Sequence, residues 1–140
     1  MTCLRAVALP AAIAALALAG CGGGGSASGS PKQAVQDYLA AFTSGDGAKA
    51  CSLMTKQTRD QFVARISALT QTGDCATAVD KLAKQAGPQL LGALKKAKVG
   101  KVTIQGDNAK VKLTSGPNST DTLLKKEGGE WKVTAVPGTQ

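Results

Sequence analysis

The 140-residue sequence predicts an α+β fold, with helices first and an antiparallel meander of strands second. Three observations lead there. Apolar residues recur at helical spacing from about residue 31 to residue 97. From Val99 the period switches to alternation, the mark of strands with one buried face. The turn sequences Gly106-Asp107-Asn108, Gly116-Pro117-Asn118 and Gly128-Gly129 then divide that alternating stretch into hairpins.

Ser30-Pro31-Lys32-Gln33 opens the first helix. Ser30 is a capping residue, Pro31 suits the first helical position because its missing N–H is not needed there, and Gln33 completes a capping box. Val35, Tyr38, Leu39 and Phe42 form its apolar face. Ser44-Gly45-Asp46 ends this helix and starts a short one over residues 47–54. A third helix starts near Thr55 or Thr58, where Thr58 and Gln61 again fit a capping box, with Phe62, Val63, Ile66 and Leu69 as its stripe. Residues 70–74 read as a polar loop, and residues 75–86 as a fourth helix with Val79, Leu82 and Ala83 inward. Gly87-Pro88 interrupts before a further helical turn over residues 89–97.

Val102 and Ile104 alternate with Lys101, Thr103 and Gln105 in the first strand, and Ala109, Val111 and Leu113 with Lys110, Lys112 and Thr114 in the second. Residues 119–126 and 130–136 supply two more. No internal repeat is present, and the one low-complexity stretch precedes the first helix.

The N-terminus has a different character. Arg5 is the only charged residue before Lys32, and residues 6–19 are apolar apart from Pro10. A basic start and a short apolar core predict a secretory signal. The run is shorter than the roughly 20 residues a membrane-spanning helix needs. Leu18-Ala19-Gly20-Cys21 resembles the lipobox of bacterial lipoproteins, in which small residues precede an obligatory cysteine. That resemblance implies a signal peptide over residues 1–20 and a thioether-linked diacylglycerol on Cys21. It also implies a cell-membrane lipid anchor facing the extracytoplasmic side. Two acyl chains anchor stably where one binds marginally. Residues 22–30, GGGGSASGS, then form a tether with a reach of roughly 15–18 Å. Residues 31–140 are left as one domain, a length that can bury a real core.

This assignment resolves the four cysteines. Cys3 leaves with the signal, Cys21 carries lipid, and Cys51 and Cys75 remain as an even pair outside the cytoplasm, which predicts a disulfide. A metal or redox pair is disfavoured, because there is no CxxC spacing and no histidine. The absence of histidine also removes the commonest general base near neutral pH. The formal charge of +8 becomes +7 once Arg5 is removed. Aromatic residues are few, so the core must come mainly from Ala, Val, Leu and Ile.

Two segments carry a wider resemblance. One is Ala34-Val35-Gln36-Asp37-Tyr38-Leu39-Ala40-Ala41-Phe42 followed by Ser44-Gly45-Asp46; the other is Gly129-Glu130-Trp131-Lys132-Val133. With the element order, they make residues 31–140 resemble the NTF2-like (SnoaL-like) superfamily, in particular the small actinobacterial lipoproteins and membrane-anchored proteins that carry such domains. The resemblance implies a cone: a curved antiparallel sheet wrapped around the first helix, sometimes with a pocket at its open end. It does not decide function, because relatives range from isomerases, cyclases and dehydratases to transport adaptors.

No catalytic set emerges. Tyr38 and Asp37 are adjacent on one helix and cannot both face inward. Asp60, Asp74 and Asp80 flank helices as solvated or capping groups. The sequence therefore favours a binding or accessory module without a metal or cofactor, and an isomerase- or cyclase-type enzyme of the same fold is the alternative. Tyr38, Phe42, Phe62, Ile66, Leu90 and Trp131 are the candidate lining of a pocket for a small hydrophobic ligand or a protein partner. For each of them taken singly, a place in a filled hydrophobic core is the favoured reading. Lys95, Lys96, Lys98 and Lys101 cluster before the sheet. Lys101, Lys110, Lys112 and Lys132 fall on the polar strand face, a candidate contact for anionic lipid or cell-wall polymer. The alternative is a solvated face that discourages edge pairing. Nucleic acid is not expected outside the cell, and no interleaved aromatics support it.

Overall fold

The computed structural model describes residues 29–135. The signal segment, Cys21, the tether before Gly29, and Val136 lie outside the described residues. Among the described residues the fold is α+β: five helices followed by a four-stranded antiparallel sheet in the order β1-β2-β3-β4.

Helix α1 spans Pro31–Ser44, α2 Gly47–Ser52, α3 Lys56–Thr70, α4 Cys75–Gln85 and α5 Pro88–Lys95. Ser30 caps α1, its hydroxyl accepting from the Gln33 amide. The second half of the expected capping box does not form, because the Gln33 side chain instead donates to Asp37, 2.8 Å away along the same helix face. Gly45 ends α1 at φ 74°, a left-handed conformation that glycine adopts without a Cβ clash. Asp46 caps α2 and Asp74 caps α4, each carboxylate accepting the amide three residues on.

Helix α3 takes the first of its two expected starts, and the capping box expected at Thr58 does not form. Thr55 is its cap, and Thr58 lies inside the first turn, buried, with its hydroxyl 2.7 Å from that of Thr55. Thr58 therefore faces the fold, and Gln61 completes no capping box with it. The far end is also corrected. Thr70 is not loop but the last helical residue, buried, with its hydroxyl bonded to the Ile66 carbonyl. Leu69, expected on the apolar stripe, is 69% exposed. Phe62 is buried and Val63 and Ile66 partly so, so the buried strip of α3 is narrow and Leu69 falls outside it.

Strands β1 (Lys98–Gln105), β2 (Asn108–Ser115), β3 (Asn118–Glu127) and β4 (Glu130–Val133) are joined by three two-residue turns. Each turn begins with a glycine at positive φ, and Gly128-Gly129 has both residues there. These are the turns whose twist matches the strands they join. The sheet presents Ala109, Val111 and Leu113 from β2, Leu124 from β3, and Trp131 and Val133 from β4 to the helices. They meet Ala34, Val35, Tyr38, Leu39 and Ala41 of α1 in one buried cluster. Ile104 fits the alternation but is 54% exposed, on the edge strand beside the turn. Strand β4 ends at Val133, so Thr134 and Ala135, expected in it, lie beyond the strand.

At the other edge, the chain itself covers β4. The Val133 amide donates to the Leu53 carbonyl at 2.7 Å, and the Thr55 amide donates to the Val133 carbonyl at 3.0 Å. The connection between α2 and α3 thus supplies a short parallel partner and satisfies an edge that would otherwise be open. Cys51 and Cys75 form the expected disulfide, with Cα atoms 6.2 Å apart, tying α2 to the start of α4.

Candidate functional site

Tyr38, Phe62 and Trp131 belong to the buried cluster, with Phe42 and Ile66 packed against it. Tyr38 and Phe42, one helical turn apart, stack with ring centroids 6.4 Å apart. Leu90, by contrast, is 55% exposed on α5 and does not meet them in that cluster. The Tyr38 hydroxyl is buried without a hydrogen-bond partner among the described residues, and burial pushes its phenol well above the ordinary range. That makes it a poor base near neutral pH. Trp131 is covered from outside by Lys126, its cross-strand neighbour, whose ammonium sits 5.8 Å from the ring centroid.

The lysines singled out on the sheet have unlike surroundings. Lys110 and Lys112 flank Asp121 on the neighbouring strand at 3.6 and 3.7 Å, so one carboxylate offsets part of both charges. Lys132 is half-buried; it donates to the Ser52 carbonyl at 3.1 Å and lies 3.6 Å from Glu130. Its charge sits at the C-terminus of α2, where a cation is favoured by the helix dipole. Lys101 is exposed where the β1–β2 register shifts. A cleft of about 290 Å³ on this outer face runs past Lys110 and Leu123.

Other charged groups serve the framework. Asp80 reaches from α4 to accept the Gly47 amide at 2.9 Å, at the start of α2. Lys81 donates to the Thr70 carbonyl at the end of α3, and Arg59 to the Cys51 carbonyl in α2. Lys56 and Asp60 pair on the exposed face of α3. No group of three or more metal-ligating side chains forms among the described residues.

A larger cleft, about 540 Å³, lies where α1 packs against α5 and β1. Lys32, Gln36, Leu39, Ala40 and Thr43 line one wall, a single stripe of α1 about 16 Å long at 1.5 Å per residue. Leu94, Lys95, Ala97, Lys98 and Val99 line the other. Its charged lining groups are three lysines and no acid. None of the three makes an ion pair or side-chain hydrogen bond among the described residues. In the sequence Lys95 and Lys98 belong to a local cluster, and Lys32 lies more than sixty residues away from them. The signal available was the position of Lys32, Gln36 and Leu39 along one edge of α1, which matters only once α5 is known to lie beside it.

No curated protein and no solved structure matches the chain. A family model described as a domain of unknown function, DUF4878, matches residues 19–134. The match covers most of the sequence, and the chain belongs to the DUF4878 family.

Proposed function

We propose that the protein is an exported lipoprotein, held at the outer face of the cell membrane by diacylglycerol on Cys21, whose tethered domain is a non-enzymatic binding module. The observation that carries this reading is the continuous series Leu18-Ala19-Gly20-Cys21, Gly/Ser tether and Ser30. Each part ends where the next begins, and Ser30 is the cap with which the folded domain starts. The Cys51–Cys75 bridge supports it, since a structural disulfide suits an oxidising compartment. No helix among the described residues is long and apolar enough to cross a membrane, so a lipid would supply the attachment.

The domain is read as an NTF2-like cone. Support comes from α1 lying along the inner face of a four-stranded antiparallel meander, with the remaining helices beside it. A binding role is favoured over catalysis because the residues nearest the expected pocket pack on one another, with Tyr38 stacked on Phe42 inside the buried cluster. Replacing Cys21 with serine tests the anchor. The protein should leave the membrane fraction or accumulate unprocessed. A variant processed and retained at the membrane like the parent would refute the reading.

A further inference from the structure

We propose that the cleft between α1, α5 and β1 binds a single anionic phospholipid, its phosphate held by Lys32, Lys95 and Lys98. The proposal rests on the anchored reading above and names the ligand that such a module would take.

The lining decides the chemistry. Lys32, Lys95 and Lys98 bring three positive charges to one depression with no carboxylate among its lining residues. On the sheet face, by comparison, Lys110 and Lys112 share Asp121, and Lys132 is engaged with Ser52 and Glu130. The cleft thus gathers three lysines with no acidic neighbour in its lining, whereas one carboxylate offsets part of two charges on the sheet face. Lysine is a compact, hydrated point charge with three donors, suited to a phosphate whose approach is not fixed in advance. Beside the lysines the lining is mixed: Gln36 and Thr43 are polar, while buried Leu39 and half-buried Leu94 and Val99 give it an apolar strip. Inorganic phosphate or a sugar phosphate would leave that surface without a partner. A glycerophospholipid supplies both an anionic head and adjoining hydrocarbon. A groove of about 540 Å³ lies within the usual range for small-molecule sites.

Position agrees with chemistry. Lys32 is the second residue of α1, two positions after the Ser30 cap and eleven after Cys21. With a tether reach of roughly 15–18 Å, the N-terminal end of the cleft stands within headgroup distance of the bilayer. A phospholipid could enter without leaving the membrane completely.

Native mass spectrometry of the full-length protein in detergent, titrated with short-chain phosphatidylglycerol, tests this. The parent should carry one phosphatidylglycerol and bind phosphatidylcholine or glycerol 1-phosphate at least about tenfold more weakly. The triple variant Lys32→Glu, Lys95→Glu, Lys98→Glu should lose the adduct, while Lys110→Glu, Lys112→Glu should keep it. Circular dichroism melting confirms that each variant is folded; if the triple variant is not, Lys95→Gln, Lys98→Gln should still weaken binding. Equal uptake of phosphatidylcholine overturns the proposal, as does tight binding of glycerol 1-phosphate or an adduct indifferent to the cleft lysines. Denatured spectra of the same sample report covalent lipid on Cys21, so failure of the anchor and failure of the cleft are read separately.

Discussion

At the scale of single residues, Tyr38 and Asp74 show how environment sets a side chain's task. Tyr38 has its hydroxyl buried and unpartnered among the described residues, and an unmade buried hydrogen bond is costly. Tyr38→Phe removes that hydroxyl and keeps the ring that stacks on Phe42. We expect melting to be unchanged or raised, within about 1 kcal/mol. A clear loss of stability would mean that the hydroxyl has a partner in solution. The acid Asp74 is exposed, and its carboxylate accepts from the Thr77 amide and hydroxyl, which together hold its pKa below the ordinary value. A group depressed in the folded state stabilises it above the unfolded pKa of about 3.9, and that contribution is lost as pH falls through the lower folded value. Asp74→Asn keeps a good cap and should flatten the acid limb of a melting-against-pH curve, with little change near neutrality. Superimposable acid limbs would contradict this role. Both residues were visible in the sequence, Asp74 as a helix-flanking capper and Tyr38 as an apolar-stripe residue. The missing partner of the Tyr38 hydroxyl among the described residues was not, because it depends on tertiary placement.

At the scale of elements, the contact between α2 and α4 is the tightest constraint described. Gly47 opens α2 against α4, where its amide meets Asp80 at 2.9 Å. A Cβ at this position would fall within van der Waals distance of the Ala76 carbonyl oxygen and 2.6 Å from the Asp80 carboxylate. The obstruction is partly backbone, which cannot swing aside. Gly47→Ala should therefore destabilise the fold by about 1–3 kcal/mol, measured by denaturant unfolding. A neutral result would show that α2 can shift away from α4. The same contrast between local and distant information explains which elements were legible. Helix α1, the three hairpin turns and the buried set Ala109, Val111 and Leu113 follow from caps, glycines and alternation. The start of α3 was not fixed by local pattern, since Thr55 and Thr58 both suit a cap. Burial of Thr58 and the contact of Thr55 with Val133 decide between them. Leu69 and Ile104 match their stripes by period, yet period does not say how far a neighbouring element extends.

At the scale of the whole molecule, one disulfide and one bridged sheet edge join the helical half to itself and to the sheet. The Cys51–Cys75 bridge closes a loop with a sequence separation of 24 residues, worth about 3–4 kcal/mol in the chain-entropy model. Cys51→Ser should lower the denaturation midpoint accordingly and leave Cys75 reactive to thiol reagents. Unchanged stability with an unreactive Cys75 would contradict the bridge. The pairing was legible because the lipobox reading leaves only two cysteines to pair. The cleft was not, because it is assembled from Lys32, Lys95 and Lys98, distant in sequence and unremarkable singly. The proposed location rests on a local motif, whereas the proposed binding rests on tertiary placement.

The claim on which the rest depends is covalent lipid at Cys21. It is tested most directly by the intact mass and N-terminal peptide of the protein purified from its native membrane. The account predicts a mature chain beginning at Cys21, heavier than its sequence by a diacylglyceryl group on that cysteine. A chain retaining Met1, or one beginning elsewhere with Cys21 unmodified, would contradict it.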